Sequence, residues 1–253
     1  MASSIHRWFN TPLGRTLMEV ECRLLSRRLA AVNHRSVLQV GAYGAGERPA
    51  LFGDVRQWLV DDWPGGPVDV VADPADMPLT NEAVDAVVLI HQLEFHPYPH
   101  QVLREAERVL APEGRLFVLG FKPLSFWGVR RMLAGFHGTD APWSGHYFGR
   151  FRLYDWLKLL GLEVQRREGL FCRPPVDRRA LLNMLAPLER LSERYARGAG
   201  GVALTVAHKR VAGMTPLAER WQPRLRVVHG GLASASRVAQ RNSTTRQSRT
   251  TGD

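Results

Sequence analysis

The residues best suited to chemistry stand at the ends of short apolar runs. Val37-Leu38-Gln39-Val40 leads directly into Gly41-Ala42-Tyr43-Gly44-Ala45-Gly46, a GxxGxG spacing. Glycines at a strand-to-helix turn let the backbone approach a ligand closely and aim free amide N–H groups at it. The spacing differs from the GxGxxG of a dinucleotide pyrophosphate loop, and a glycine turn alone can be no more than a tight turn. Asp61 follows at the end of the next apolar run. An acid there can accept hydrogen bonds from both hydroxyls of a ribose; the alternative for Asp61 and Asp62 is an exposed turn before Pro64-Gly65-Gly66. Ala72-Asp73-Pro74-Ala75-Asp76-Met77-Pro78-Leu79 supplies a third loop, where Asp76 could accept from an exocyclic amine while Met77 packs against a flat ring. Three such loops at adjacent carboxyl ends of parallel strands suit an adenosine-containing molecule. His91 and His96 come after the strongest apolar run and are candidate general bases, the alternative being helix-entry or loop histidines. With His100 they match no familiar zinc spacing, so no metal is expected.

Several elements must position these residues. Thr11-Pro12 is a good helix start, and Leu13, Leu17, Val20, Leu24, Leu25, Leu29 and Val32 follow at helical spacing. Strands are predicted over 36–40, 56–60, 68–72 and 84–90, the last (VDAVVLI) an almost unbroken β-branched run suited to burial on both faces. A helix over 101–110, a turn at Pro112-Glu113-Gly114, a strand over 115–120, a helix over 153–160 and strands over 163–168 and 202–209 complete the pattern, with a helical stretch over 178–195 between the last two. Alternating strands and helices imply an α/β fold with a mostly parallel sheet and right-handed connections.

The run VLQVGAYGAG, followed by ADPADMPLTNEAVDAVVLIHQLEFHPYPHQVLREAERVLAPEGRLFVLGF, resembles a class I S-adenosylmethionine-dependent methyltransferase of the type 11 group. Asp76-Met77-Pro78, Val84-Asp85, Leu103-Arg104-Glu105 and Pro112-Glu113-Gly114 carry the likeness. The resemblance implies a Rossmann-like, doubly wound, seven-stranded sheet, mostly parallel with an antiparallel last strand, and S-adenosylmethionine as cofactor, with Gly41, Gly44 and Gly46 around its methionine part. It places Asp61 on the ribose, Asp76 and Met77 at the adenine, and His91 near the sulfonium. Gln39 stands where the family usually has an acid for the cofactor's amino group, and the glycine loop is one residue longer than the common pattern. Both departures keep open an alternative: a catalytically degenerate member acting as a binding module.

Of the chain's 253 residues, 45% are hydrophobic and 23% charged, enough to bury a real core. No apolar run nears the roughly 18 residues of a membrane span. The opening residues lack a signal-like apolar stretch, and only Cys22 and Cys172 are present, so reduced thiols and a cytoplasmic location are expected. The net charge of +10 is concentrated from Lys209 onward, where nine Lys and Arg residues face only Glu219 and Asp253. The expected organisation is a cap helix over 1–35, a methyltransferase domain over 36–213, and a basic, disordered tail over 214–253 that could hold nucleic acid electrostatically. Ten of the twenty-two aromatics fall between Phe121 and Trp156. That concentration, with its Gly, Pro and Ser residues, suits a lid over 121–150 and a small or medium-sized methyl acceptor.

Overall fold

The structure, a computed structural model, describes residues 2–31, 35–44, 55–133, 141–174 and 200–210. The chain divides into two compact units, Met1–Ala212 and Gly213–Asp253. All described residues belong to the first. The basic tail with its nucleic-acid expectation, and the helical stretch over 178–195, lie outside them.

Seven strands are present: β1 (Ser36–Val40), β2 (Arg56–Asp61), β3 (Val70–Val71), β4 (Val84–Ile90), β5 (Leu110–Phe121), β6 (Leu162–Leu170) and β7 (Val202–Lys209). They form one sheet in the order β3-β2-β1-β4-β5-β7-β6. The first five pair in parallel, and β7 runs antiparallel to both β5 and β6. This is the Rossmann-like sheet expected from the sequence. The strand expected over 68–72 shrinks to two residues because β3 is an edge that pairs only with Val60 and Asp61. The turn expected at 112–114 is instead absorbed into β5 as a register shift against β4, with Glu113 at φ +60°.

Strand alternation divides the core between the two faces of the sheet. Val37, Ala86, Val88, Ile90, Phe117 and Leu119 point to one face, while Leu38, Val40, Val87, Leu89, Leu116 and Val118 point to the other. The second face is covered by α4 (Pro99–Val109) and α6 (Arg150–Leu159). The first is covered by α1 (Ala2–Phe9), α2 (Pro12–Ala30) and Trp127 of α5 (Phe126–Leu133). Thr11 caps α2 by accepting from the Gly14 N–H at 3.1 Å, and Pro12 opens the helix. A Cβ on Gly14 would come within 2.7 Å of Phe9 Cα, so glycine there is what lets α1 fold back closely onto α2. Leu13, Leu17, Val20, Leu25 and Leu29 of the apolar stripe form the buried face of α2, Leu24 is half-buried, Val32 lies outside the described residues, and one charged residue that matters below, Glu21, is buried among them. The short helix α3 (Gln92–Phe95) follows β4.

Candidate functional site

The order of strands reverses direction between β1 and β4. Such a switch point opens a crevice beyond the carboxyl ends of the strands. Three of the predicted turns meet there. Gly41, at φ +99°, donates its N–H to the Val60 carbonyl at 2.9 Å. The Ala42 and Trp63 N–H groups both donate to the Asp61 carboxylate, and Ala72 donates to the Asp61 carbonyl at 3.0 Å. Asp61 therefore joins the glycine turn, the end of β2 and the end of β3. It is completely buried, which removes the exposed-turn reading for this residue, whereas Asp62 is exposed as that reading holds.

A group from the amino terminus completes the shell of Asp61. His6 of α1 is 1% exposed, places Nε2 3.0 Å from Asp61 Oδ2, and stacks on Trp63 with centroids 4.3 Å apart. Burial works against the Asp61 charge. The hydrogen bond and charge of His6, with the Ala42 and Trp63 N–H groups, nevertheless hold its carboxyl below the ordinary range. The same helix crowds the glycine turn: a Cβ on Gly44 (φ +105°) would lie 2.8 Å from the His6 carbonyl. At Gly41 a Cβ would run into the Gln92 side chain. The close backbone approach expected for a ligand is thus made, at these two glycines, by the chain's own helices. Gly46 lies outside the described residues.

The other predicted contacts divide. Gln39 is fully buried; its Nε2 donates to the Gly41 carbonyl at 2.8 Å and its Oε1 accepts from Gln57 at 3.0 Å. Its amide is committed to holding the glycine turn. Asp76 is exposed on the rim. Met77 turns inward and packs with Leu38, Val40 and Val60 in the core below. The loop carrying them is gripped from α4: Glu105 accepts the Met77 N–H at 3.2 Å, and Arg108 donates to the Met77 and Leu79 carbonyls at 3.0 and 2.8 Å while paired with Glu105. Both residues lie in the run that carried the family resemblance, yet their clamp role depends on a loop distant in sequence. Arg108→Ala should lower unfolding free energy by about 1–3 kcal/mol in urea titration. Lysine should recover only part of this, since it lacks the planar fork.

His91 ends β4 in the left-handed region (φ +50°) and is buried between two acids. Its Nε2 lies 2.9 Å from Glu21 Oε1 and its Nδ1 3.2 Å from Glu94 Oε1. Burial opposes a charge here, but Glu21 and then Glu94 overcome it and push His91 up to about 10. Both ring nitrogens then carry protons, and the ring has no lone pair with which to accept another. The general-base expectation for His91 gives way to a buried cation held by two acids. His96 has both nitrogens engaged as well, Nδ1 accepting from the Tyr98 N–H at 3.0 Å and Nε2 facing Asp73 Oδ1 at 2.9 Å. It links the exit of α3 to the loop after β3.

Phe121 stacks on His91 with centroids 4.2 Å apart and is followed by Trp127 and Tyr147 at 5.5 and 5.1 Å. Part of the expected lid is therefore core, since Trp127 is buried against Trp8, Phe121 and Phe171. Three residues of this site escaped the sequence reading: His6, Glu21 and Glu94. Glu21 left one signal, a charge spaced four residues from both Leu17 and Leu25 on an apolar stripe. Among the described residues, no group of three or more His, Cys, Asp or Glu side chains could hold a metal ion, and no helix is long and apolar enough to cross a membrane.

A parallel sheet with this strand order, one reversed strand and an acid-tipped second strand beside a glycine turn is the class I methyltransferase fold. Residues 55–118 match the methyltransferase domain family of the type 11 group. The uncharacterized protein YafS of Escherichia coli (strain K12) is 42% identical over 100 residues, which is 40% of this chain and 41% of that protein. The match thus spans about two fifths of that relative's length. A solved structure from Thermotoga maritima, described as an S-adenosylmethionine-dependent methyltransferase and possible histamine N-methyltransferase, superposes with a TM-score of 0.55 at 17% identity, covering 83% of this chain and 100% of its own. The Burkholderia thailandensis 1,6-didemethyltoxoflavin-N1-methyltransferase, solved with that acceptor and S-adenosylhomocysteine, superposes with a TM-score of 0.51 at 17% identity, covering 83% and 85% of the two chains.

Proposed function

We propose that the protein transfers a methyl group from S-adenosylmethionine to a small or medium-sized oxygen or nitrogen nucleophile. One observation carries this reading: Asp61 is held ionised at the tip of β2, bonded to the glycine turn at the β1–β4 switch point, where a ribose diol would find its acceptor. When bound, the cofactor would supply an electrophilic methyl group on a sulfonium. The chain's residues have the types to hold it: Asp61 for the ribose, the Gly41–Gly44 turn for the methionine part, and Asp76 on the rim for the adenine amine. Ribose hydroxyls would take the position on Asp61 that His6 now holds, so the start of α1 must yield on binding.

Methyl transfer is an in-line displacement that asks mainly for positioning, and well-oriented reactants reach effective molarities of about 10⁵–10⁸ M. Phe121, Tyr147 and Trp127 provide a water-poor wall beside the end of β4. With His91 doubly donating and His96 tied to Tyr98 and Asp73, orientation rather than histidine base catalysis supplies the rate. The two solved neighbours are named for small nitrogenous acceptors, which agrees with a small acceptor here.

A second reading, a methyltransferase fold that serves only as a binding module, is favoured by two observations. Gln39 replaces the usual acid, and His6 occupies Asp61. Calorimetry on the folded full-length chain separates the two readings. Heat with S-adenosylmethionine or S-adenosylhomocysteine supports cofactor use; none with either ligand removes the enzyme reading and leaves the binding module.

A further inference from the structure

At the β1–β4 switch point the structure buries two carboxyl groups around one histidine. Glu21 projects from the apolar face of α2, flanked one turn away on each side by Leu17 and Leu25, and is completely buried. Its Oε1 faces His91 at 2.9 Å, and Glu94 faces the other ring nitrogen. One imidazole thus serves two carboxyl groups, and Glu94 Oε1 also accepts the Phe121 N–H at 2.6 Å. Among the described residues, Glu21 Oε2 and Glu94 Oε2 have no hydrogen-bond partner, and the Tyr43 hydroxyl lies beside Glu21 and Cys22. A buried carboxylate oxygen without a donor is costly, and an uncompensated buried charge more so. The cluster has acceptor oxygens to which the chain gives no N–H group.

The place of this deficit is informative. Tyr43 belongs to the glycine turn that leaves β1, and His91 follows directly after β4, so Glu21, beside both, lies near the carboxyl ends of these two strands. On β1 itself, the residue that the family resemblance would make acidic is Gln39, neutral and spent on Gly41 and Gln57. The carboxyl group absent from β1 is present on α2, buried beside the residue that follows β4. We infer that Glu21, assisted by the Tyr43 hydroxyl, receives the ammonium group of the methionine part of an S-adenosyl ligand, so that the amino-terminal cap supplies the cofactor contact that Gln39 cannot make. This rests on the proposed cofactor and goes beyond it by assigning a residue from outside the sheet. The α-ammonium brings three N–H donors, which suits a site with unfilled carboxyl acceptors.

The test is calorimetric and needs no methyl acceptor. S-adenosylhomocysteine carries the ammonium and no sulfonium, whereas 5′-methylthioadenosine carries neither. Wild-type protein should bind the first more tightly, and Glu21→Gln should weaken S-adenosylhomocysteine roughly ten- to hundredfold, as loss of a charged hydrogen bond would, with methylthioadenosine unchanged. Equal weakening of both ligands, or of neither, overturns the assignment. So does weakening confined to S-adenosylmethionine, which would point to the sulfonium. Should Glu21→Gln fail to fold, Glu21→Asp keeps the charge but withdraws it; an unchanged ratio of the two affinities in that variant overturns the assignment equally. If the folded wild-type protein binds none of the three ligands, the proposed function itself fails, a result distinct from loss of discrimination.

Discussion

Alanine in place of Asp61 should destabilise the protein by about 3–5 kcal/mol, the usual cost of removing one partner from a buried, hydrogen-bonded charge pair. The carboxylate takes the Ala42 and Trp63 N–H groups as well as His6, and without it the buried Ala42 N–H and the part-buried Trp63 N–H lose this acceptor. Urea titration should show the loss as a lower midpoint, and a wild-type midpoint would refute this account of the rim. Because Asp61 is held below its ordinary value of 3.8, its contribution is complete above that value and is lost as pH falls through the lower, folded value. The variant should therefore flatten the acid limb of the stability profile. Affinity for S-adenosylhomocysteine should also fall, by about 1.5–3 kcal/mol if the carboxylate accepts from the ribose. His6→Ala should separate these effects. It costs stability by removing a buried hydrogen bond to Asp61, yet it clears the position that the ribose needs, so affinity should rise. Weaker binding in His6→Ala would mean that α1 helps to hold the ligand instead of standing in its place.

The second large effect belongs to His91. Asparagine tolerates the left-handed backbone at this position (φ +50°) better than most residues do, so His91→Asn removes the cation without adding much strain. Glu21 and Glu94, both buried, then lose the imidazole that bridges them, at a cost of about 3–5 kcal/mol. The pH dependence supplies an independent signature. His91 is raised from 6.5 to about 10, so between those values the folded protein holds a proton that the unfolded chain releases. Its stabilisation is complete below pH 6.5 and shrinks as pH rises toward 10, by about 1.4 kcal/mol for each pH unit crossed. Chemical denaturation across that interval should show a falling limb in the wild type and a flat one in His91→Asn. Parallel limbs would mean that the imidazole is not charged between its acids.

Much of the fold was legible along the chain because its signals are local. The run from Val84 to Ile90 can only be a strand buried on both faces, the Thr11-Pro12 start and the leucine spacing specify α2, and the 202–209 strand is apolar enough to lie inside a sheet. The exceptions share a cause. The length of β3 depends on how much of β2 it finds to pair with, and Pro112-Glu113-Gly114 becomes an irregularity within β5 because β4 offers partners on both sides of it.

The candidate site divides along the same line. Residue order determines that a glycine turn, Asp61 and the Asp76-Met77 loop follow successive strands, since parallel connections bring consecutive strand ends to one edge. What those groups touch is decided only in three dimensions. His6 reaches Asp61 across 55 residues and Glu21 reaches His91 across 70, separations over which sequence spacing carries no distance information. Two helices folded back on the sheet set the charge of that edge, and a charge inside an apolar environment is governed by its neighbours in space.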